Sequence, residues 1–320
     1  MSKPRNHHFL SQCYLKNFAK PRSKAGKLRV FDLREGKEFP SVPRNVGSRR
    51  DYNRIDIPDV PTDFLENDLA KFESDLEKAF HRIISAGQIG DRHDFGFVLM
   101  FLSLICANNP AFRSQRERLM TDVAGRIMDS LTSDREIWES TTARMKADGI
   151  EVSETVSFDE MQSAVREKRI VPKVAREALI GQEIKLWRDI LPILEGRQWS
   201  LLKAGPDAGE FVTADRPFSL RVIREELDSA FYRPGLGMRE TTLTFPISPT
   251  LMMLGIFEEG GAELVLTRQQ VAAFNAGTFS SAMRQLYARD DFPVLDTTGE
   301  IAQFSESELW SNIQTQANVE

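Results

Sequence analysis

The sequence predicts an α+β fold: a basic N-terminal arm of β character, a helical middle, and a mainly antiparallel C-terminal sheet with helices on one side. Three observations carry this expectation. Turn formers and short alternating runs fill residues 1–60. Apolar residues recur at three- and four-residue spacing over 61–195. Short β-branched and aromatic runs, separated by Gly, Pro or Asp, occupy 196–304. The 320-residue length fits one such domain over 1–304, with 305–320 as a polar tail.

In the arm, GKLRVFDL (26–33) alternates well enough for a strand, and REGK places a turn at Gly36. SVPRNVGSRRDYNRIDIPDVP (41–61) is punctuated by Pro43, Gly47, Pro58 and Pro61, with Tyr52 and Ile55 to tuck it inward. Thr62 or Asp63 caps a first helix to about Ser85, with Leu65, Leu69, Phe72, Leu76, Phe80 and Ile83 on one face. Glu66 and Asp68 belong to its solvated face. Asp91 opens a second helix that is apolar nearly all round and therefore central. Asn109 and Pro110 start a third, to about Leu131. Helices follow over 134–147 and 157–168, and a longer one begins at Pro172. QWSLLKA, EFVTA, FSLRV, TTLTFPIS, LMMLGIF and ELVLT read as strands, followed by a helix over 268–283 and a strand in RQLYAR. The two β regions are compatible with a shared sheet.

Composition excludes some classes. Apolar residues at 41% and charged residues at 28% describe an ordinary globular chain. The longest apolar run, FGFVLMFLSLICA (95–107), is too short to cross a bilayer. Cys13 and Cys106 stand alone, without metal or disulfide spacing, and no apolar leader follows the basic start. A cytoplasmic protein without a membrane contact is the expectation. The net charge of −5 is unevenly spread: residues 1–54 hold fourteen Lys/Arg and four acids, leaving +10 there and −15 elsewhere. Such a split suits an end that faces a polyanion, or one that docks on the acidic body of its own chain.

His7 and His8 are half of the four histidines. Adjacent side chains point apart in a strand, so the pair is poorly placed to share one metal. Either one serves acid/base chemistry while the other is fixed by the backbone, or both hold the arm in place. Asp215 ends an apolar strand in FVTADRPF, where a carboxylate reaches a cleft or caps a turn. Thr213 and Arg216 flank it as substrate contacts. Cys13 lies in an apolar run and reads as a buried thiol, and Met252 and Met253 as core. Glu183-Ile184-Lys185 matches half of a nuclease signature, but on a helix instead of the strand that signature requires. Gly235 to Glu240 lacks the strand-to-helix setting of a phosphate loop.

Three segments in order, NHHFLSQCYLKNFA at the start, EFVTADRPFSL at 210–220 and TFPISPTLMML at 244–254, resemble the family labelled domain of unknown function 4238. ICANNPAFR (105–113) and Asn275 fit its central and late motifs. Ser11 stands where the family usually has proline, and Asp215-Arg216-Pro217 where it usually has Asp-Asn-Pro. The resemblance implies a fold-level frame and site candidates, with no reaction attached.

Two function classes follow. The first is a hydrolase of nucleic-acid phosphodiesters with His7, His8 and Asp215 as catalytic residues. Arg5, Gln12, Arg49, Arg50, Thr213 and Arg216 would bind substrate, Lys16 would help hold the backbone, and a divalent metal would be the cofactor such chemistry calls for. The alternative is a non-catalytic nucleic-acid- or protein-binding module of a bacterial multi-gene system.

Overall fold

A computed structural model describes residues 6–58, 61, 64–152, 156–223, 234–258 and 263–317, except for the side chains of 64 and 66. Arg5, Thr62, Asp63 and the Glu66 side chain, all named above, lie outside the described residues. The fold is α+β. It divides into two compact units, Met1–Asn109 with Glu183–Glu320, and Pro110–Gln182.

In the larger unit, β1 (Asn6–His8) pairs antiparallel with β4 (Ser48–Arg50), placing His7 opposite Arg49 and His8 opposite Ser48. Behind β1, Ser11 caps the short helix α1 (Gln12–Leu15) by accepting from the Cys13 amide at 3.2 Å. A 3-10 turn, Lys16–Phe18, continues it. The arm strands β2 (Leu28–Asp32) and β3 (Lys37–Ser41) join β6 (Thr213–Ala214) and β11 (Gln285–Ala288) in one sheet of order β3-β2-β11-β6. The two β regions therefore do share a sheet. A second sheet has the order β10-β5-β9-β8-β7, built from β5 (Gln198–Ala204), β7 (Ser219–Val222), β8 (Thr241–Ser248), β9 (Leu251–Ile256) and β10 (Leu264–Leu266). Its β10–β5 pair is parallel and the others are antiparallel.

Helices α2 (Phe64–Ala86) and α3 (Arg92–Ala107) pack with these sheets around one core. Asp91 caps α3 through the His93 amide at 2.9 Å, and the all-round apolar α3 buries Val98, Phe101, Leu102 and Ile105 as its sequence requires. Trp187, on α7 (Arg176–Glu195), donates its indole N–H to the Met100 carbonyl at 2.9 Å. Glu183-Ile184-Lys185 is helical, as its periodicity predicts.

The segment after Phe304, read from its polarity as a tail, instead forms a 3-10 turn and α9 (Glu308–Ala317). One residue decides this. Trp310 is 3% exposed and packs edge-on to Phe31 at 5.3 Å, in a cluster with Phe292 and Phe304. The antiparallel pair β12 (Pro293–Leu295) and β13 (Ile301–Gln303) lies beside it in sequence. Asn275 on α8 (Arg268–Ser281) ties this region together, accepting from the Val212 amide at 3.0 Å and donating to the carbonyls of Glu210 and Pro293, each at 2.8 Å.

The smaller unit carries α4 (Pro110–Leu131), α5 (Arg135–Ala147), α6 (Phe158–Arg166) and the start of α7. Ser157 and Glu160 form a capping box on α6, and Gln162 donates to the Thr132 carbonyl at 2.7 Å. No single described helix is long and apolar enough to cross a membrane.

Candidate functional site

The three segments that resemble the family meet at one hydroxyl. Tyr14 donates to the Pro246 carbonyl at 2.7 Å, so the Thr213 hydroxyl, 2.6 Å away, donates to the Tyr14 oxygen. The ladder slips between Pro246 and Ser248 on β8, where the proline supplies no N–H. The Tyr14 ring stacks on Phe245 at 5.2 Å and touches Phe18, Phe80 and Phe101. Burial holds its phenol well above the ordinary range, so it stays protonated. Thr213 is fully buried and offers no surface to a substrate. Its hydroxyl ties β6 to Tyr14, whose own bond to Pro246 ties α1 to the second sheet as well.

His7 and His8 point apart, as strand geometry demands: His7 is buried and His8 half-buried. The His7 Nδ1 accepts the Asn53 amide N–H at 3.0 Å, which puts the ring proton on Nε2. The His8 Nδ1 lies 3.4 Å from the Gln12 amide nitrogen. Arg49 and Arg50 are exposed on β4.

Asp215 follows β6 and turns its carboxylate to the chain leaving α8. Oδ1 accepts from the Met283 amide at 2.9 Å and Oδ2 from the Gln285 amide at 3.3 Å, so it caps the entry to β11. Burial raises its pKa, and the surrounding amides only partly offset this. The Arg216 guanidinium lies 5.6 Å over the Phe218 ring. Gln12 and His8 thus meet, and Thr213 meets Tyr14, while the bonds shown for Asp215 run to backbone. Among the described residues no group of three or more His, Cys, Asp or Glu is arranged to hold a metal ion. Cys13 is buried, its thiol pushed up to about 12 chiefly by burial, which removes it as a nucleophile.

The structure also holds a basic concavity that no local sequence pattern marks as a unit. One cavity of about 660 Å³ is lined by Lys16, Arg22, Ser74, Glu77, Lys78, His81 and Arg82. The last five recur at helical spacing on α2. A second, of about 310 Å³, shares Arg22 and adds Asn17, Lys20, Ser248, Thr250 and Arg289. Six cations line the two cavities against two acids, Glu77 and Asp290. Part of the arm's charge is spent within the chain: Lys16 and Lys24 pair with Glu77, Lys20 with Asp290, and Arg29 with Glu38 and Asp291. Lys78, Arg82 and Arg289 pair with Asp75, Asp94 and Glu210. Arg22 differs: among the described residues it bonds no carboxylate, and its Nε donates to Asn17 Oδ1 at 3.0 Å. The sequence signal available was the Lys16–Lys27 run of basic residues; Arg289 and the α2 face are remote from it.

The family model described as Protein of unknown function (DUF4238) matches residues 6–292. No curated protein and no solved structure matches the chain.

Proposed function

The chain belongs to the DUF4238 family, and we propose that it is a non-catalytic binding module whose basic concavity holds a polyanion, a nucleic-acid strand in the first instance. One observation carries the proposal: Arg22, without a carboxylate partner among the described residues, lines both of two cavities that six cations line between them. The pairs around it are weak obstacles. Lys20 and Asp290 are each more than half exposed, and such pairs contribute only about 0–1 kcal/mol, so a phosphate can replace the acid. The engaged state of Asp215 and the burial of Thr213 favour binding over hydrolysis as the reading.

The test is affinity for labelled DNA and RNA at several salt concentrations, with and without divalent metal. Counterion release requires log K to fall with log salt, by about 0.7 per phosphate contact on single strands. A salt-independent affinity, or none, rejects the proposal. Metal-dependent cleavage that disappears in His8→Ala or Asp215→Asn would replace it with the hydrolase.

A further inference from the structure

We infer that the smaller cavity is a subsite for a phosphate monoester, an inference that deepens the polyanion reading and rests on it. Asn17 is 3% exposed and lines this cavity. Its orientation is fixed, because Oδ1 accepts from Arg22 Nε at 3.0 Å. The amide nitrogen is buried and has no hydrogen-bond partner among the described residues. A buried donor left in that state costs free energy that a ligand acceptor restores. Donors on three segments of the chain line the same cavity. Arg22 spends Nε on Asn17 and keeps its terminal nitrogens. Ser248 and Thr250, whose hydroxyls are 3.3 Å apart, line the cavity where β8 turns into β9. Lys20 and Arg289 also line it, paired with Asp290 and Glu210.

The ligand that matches is acceptor-only, anionic and three-dimensional. A carboxylate offers two coplanar oxygens, whereas a terminal phosphate presents three in a tetrahedron and suits an amide, a guanidinium and two hydroxyls arriving from different sides. The volume of about 310 Å³ is at the small end of ligand cavities. It admits a phosphate with a sugar-sized group and excludes a duplex. A strand end or a free phosphorylated small molecule both carry this chemistry.

Fluorescence anisotropy with short single strands bearing a terminal phosphate or a terminal hydroxyl, labelled at the opposite end, tests the strand source. Calorimetry with adenosine monophosphate and with inorganic phosphate tests the free one. The phosphorylated strand is expected to bind about tenfold tighter than its hydroxyl counterpart, the worth of hydrogen bonds to a charged group. Asn17→Asp, checked for folding by circular dichroism, and the exposed Arg22→Gln should each bring that ratio close to one. A ratio unchanged in both variants overturns the assignment. If strands bind equally well and adenosine monophosphate does not bind, the subsite falls while the polyanion reading stands. If strands fail to bind but adenosine monophosphate binds and both variants abolish it, the subsite stands and the polyanion reading falls.

Discussion

Tyr14 and Asn17 stand three residues apart in one stretch of the chain, and both are buried polar side chains, yet they have opposite economies. The Tyr14 hydroxyl has both partners inside the protein, one from each of two sheets. Among the described residues Asn17 has one side-chain partner, an exposed arginine, and a second polar atom without one. The first arrangement is what a fold needs, since a satisfied buried hydroxyl fixes how three segments meet. The second is what a site needs, since its deficit is open to a partner from outside. Burial of a polar residue therefore does not tell structure from function; the state of its last hydrogen bond does.

The contrast breaks first at the hub. Tyr14→Ala should cost about 4 kcal/mol and Tyr14→Phe about 2, because the first opens a cavity among four aromatic rings and the second only orphans Thr213 and the Pro246 carbonyl. Urea denaturation followed by circular dichroism measures both. A Tyr14→Phe cost near zero would show that the hydroxyl does not fix the junction. Asn275→Ala comes next, at about 3 kcal/mol, since it orphans the Val212 amide and two carbonyls in a buried setting.

These residues also show what the sequence could reveal. QWSLLKA is a strand over the same seven residues that its pattern predicts, and Asp91 and Pro110 mark their helix starts, because those signals are local. The pairing of His7 with Arg49 and of Leu286 with Ala214 is not local, so composition suggested a shared sheet without giving its order. Trp310 explains why the polar tail is helical: one aromatic residue among polar neighbours suffices to dock a short helix, and no periodicity announces it. The histidine pair is conspicuous by rarity. Asn17 is not, because its meaning depends on Arg289 and Thr250, more than 230 positions away.

A smaller effect sharpens the distinction between a carboxylate that serves the fold and one poised for chemistry. Burial raises the folded pKa of Asp215, so the native state binds that proton more tightly than the unfolded chain does. Its contribution to stability is therefore fully present below the ordinary carboxylate value of about 3.9 and is lost as pH rises through the raised one. Asp32 has the opposite sign. Burial pushes it up, but Gln285 and Arg284 pull it below its ordinary value, so its contribution is lost on acidification. Calorimetric melting of the wild type and Asp215→Asn at falling pH should show the wild type gaining relative to the variant. A relative loss would mean the amides around Asp215 outweigh its burial.

The smallest expected stability change belongs to Arg22, and it is the most informative. Arg22 is exposed and pairs with no carboxylate among the described residues, and Gln keeps a donor within reach of Asn17. Arg22→Gln should thus change stability by no more than about 0.5 kcal/mol, the range of ordinary surface substitutions. If the cavity is a site, the same variant should lower the salt slope of strand binding by about one phosphate contact. Tyr14→Phe should do the reverse, losing stability while its slope stays with the wild type. A variant set in which stability and slope fall together would mean that the arm's basic residues serve the fold after all, docked on the acids of their own chain.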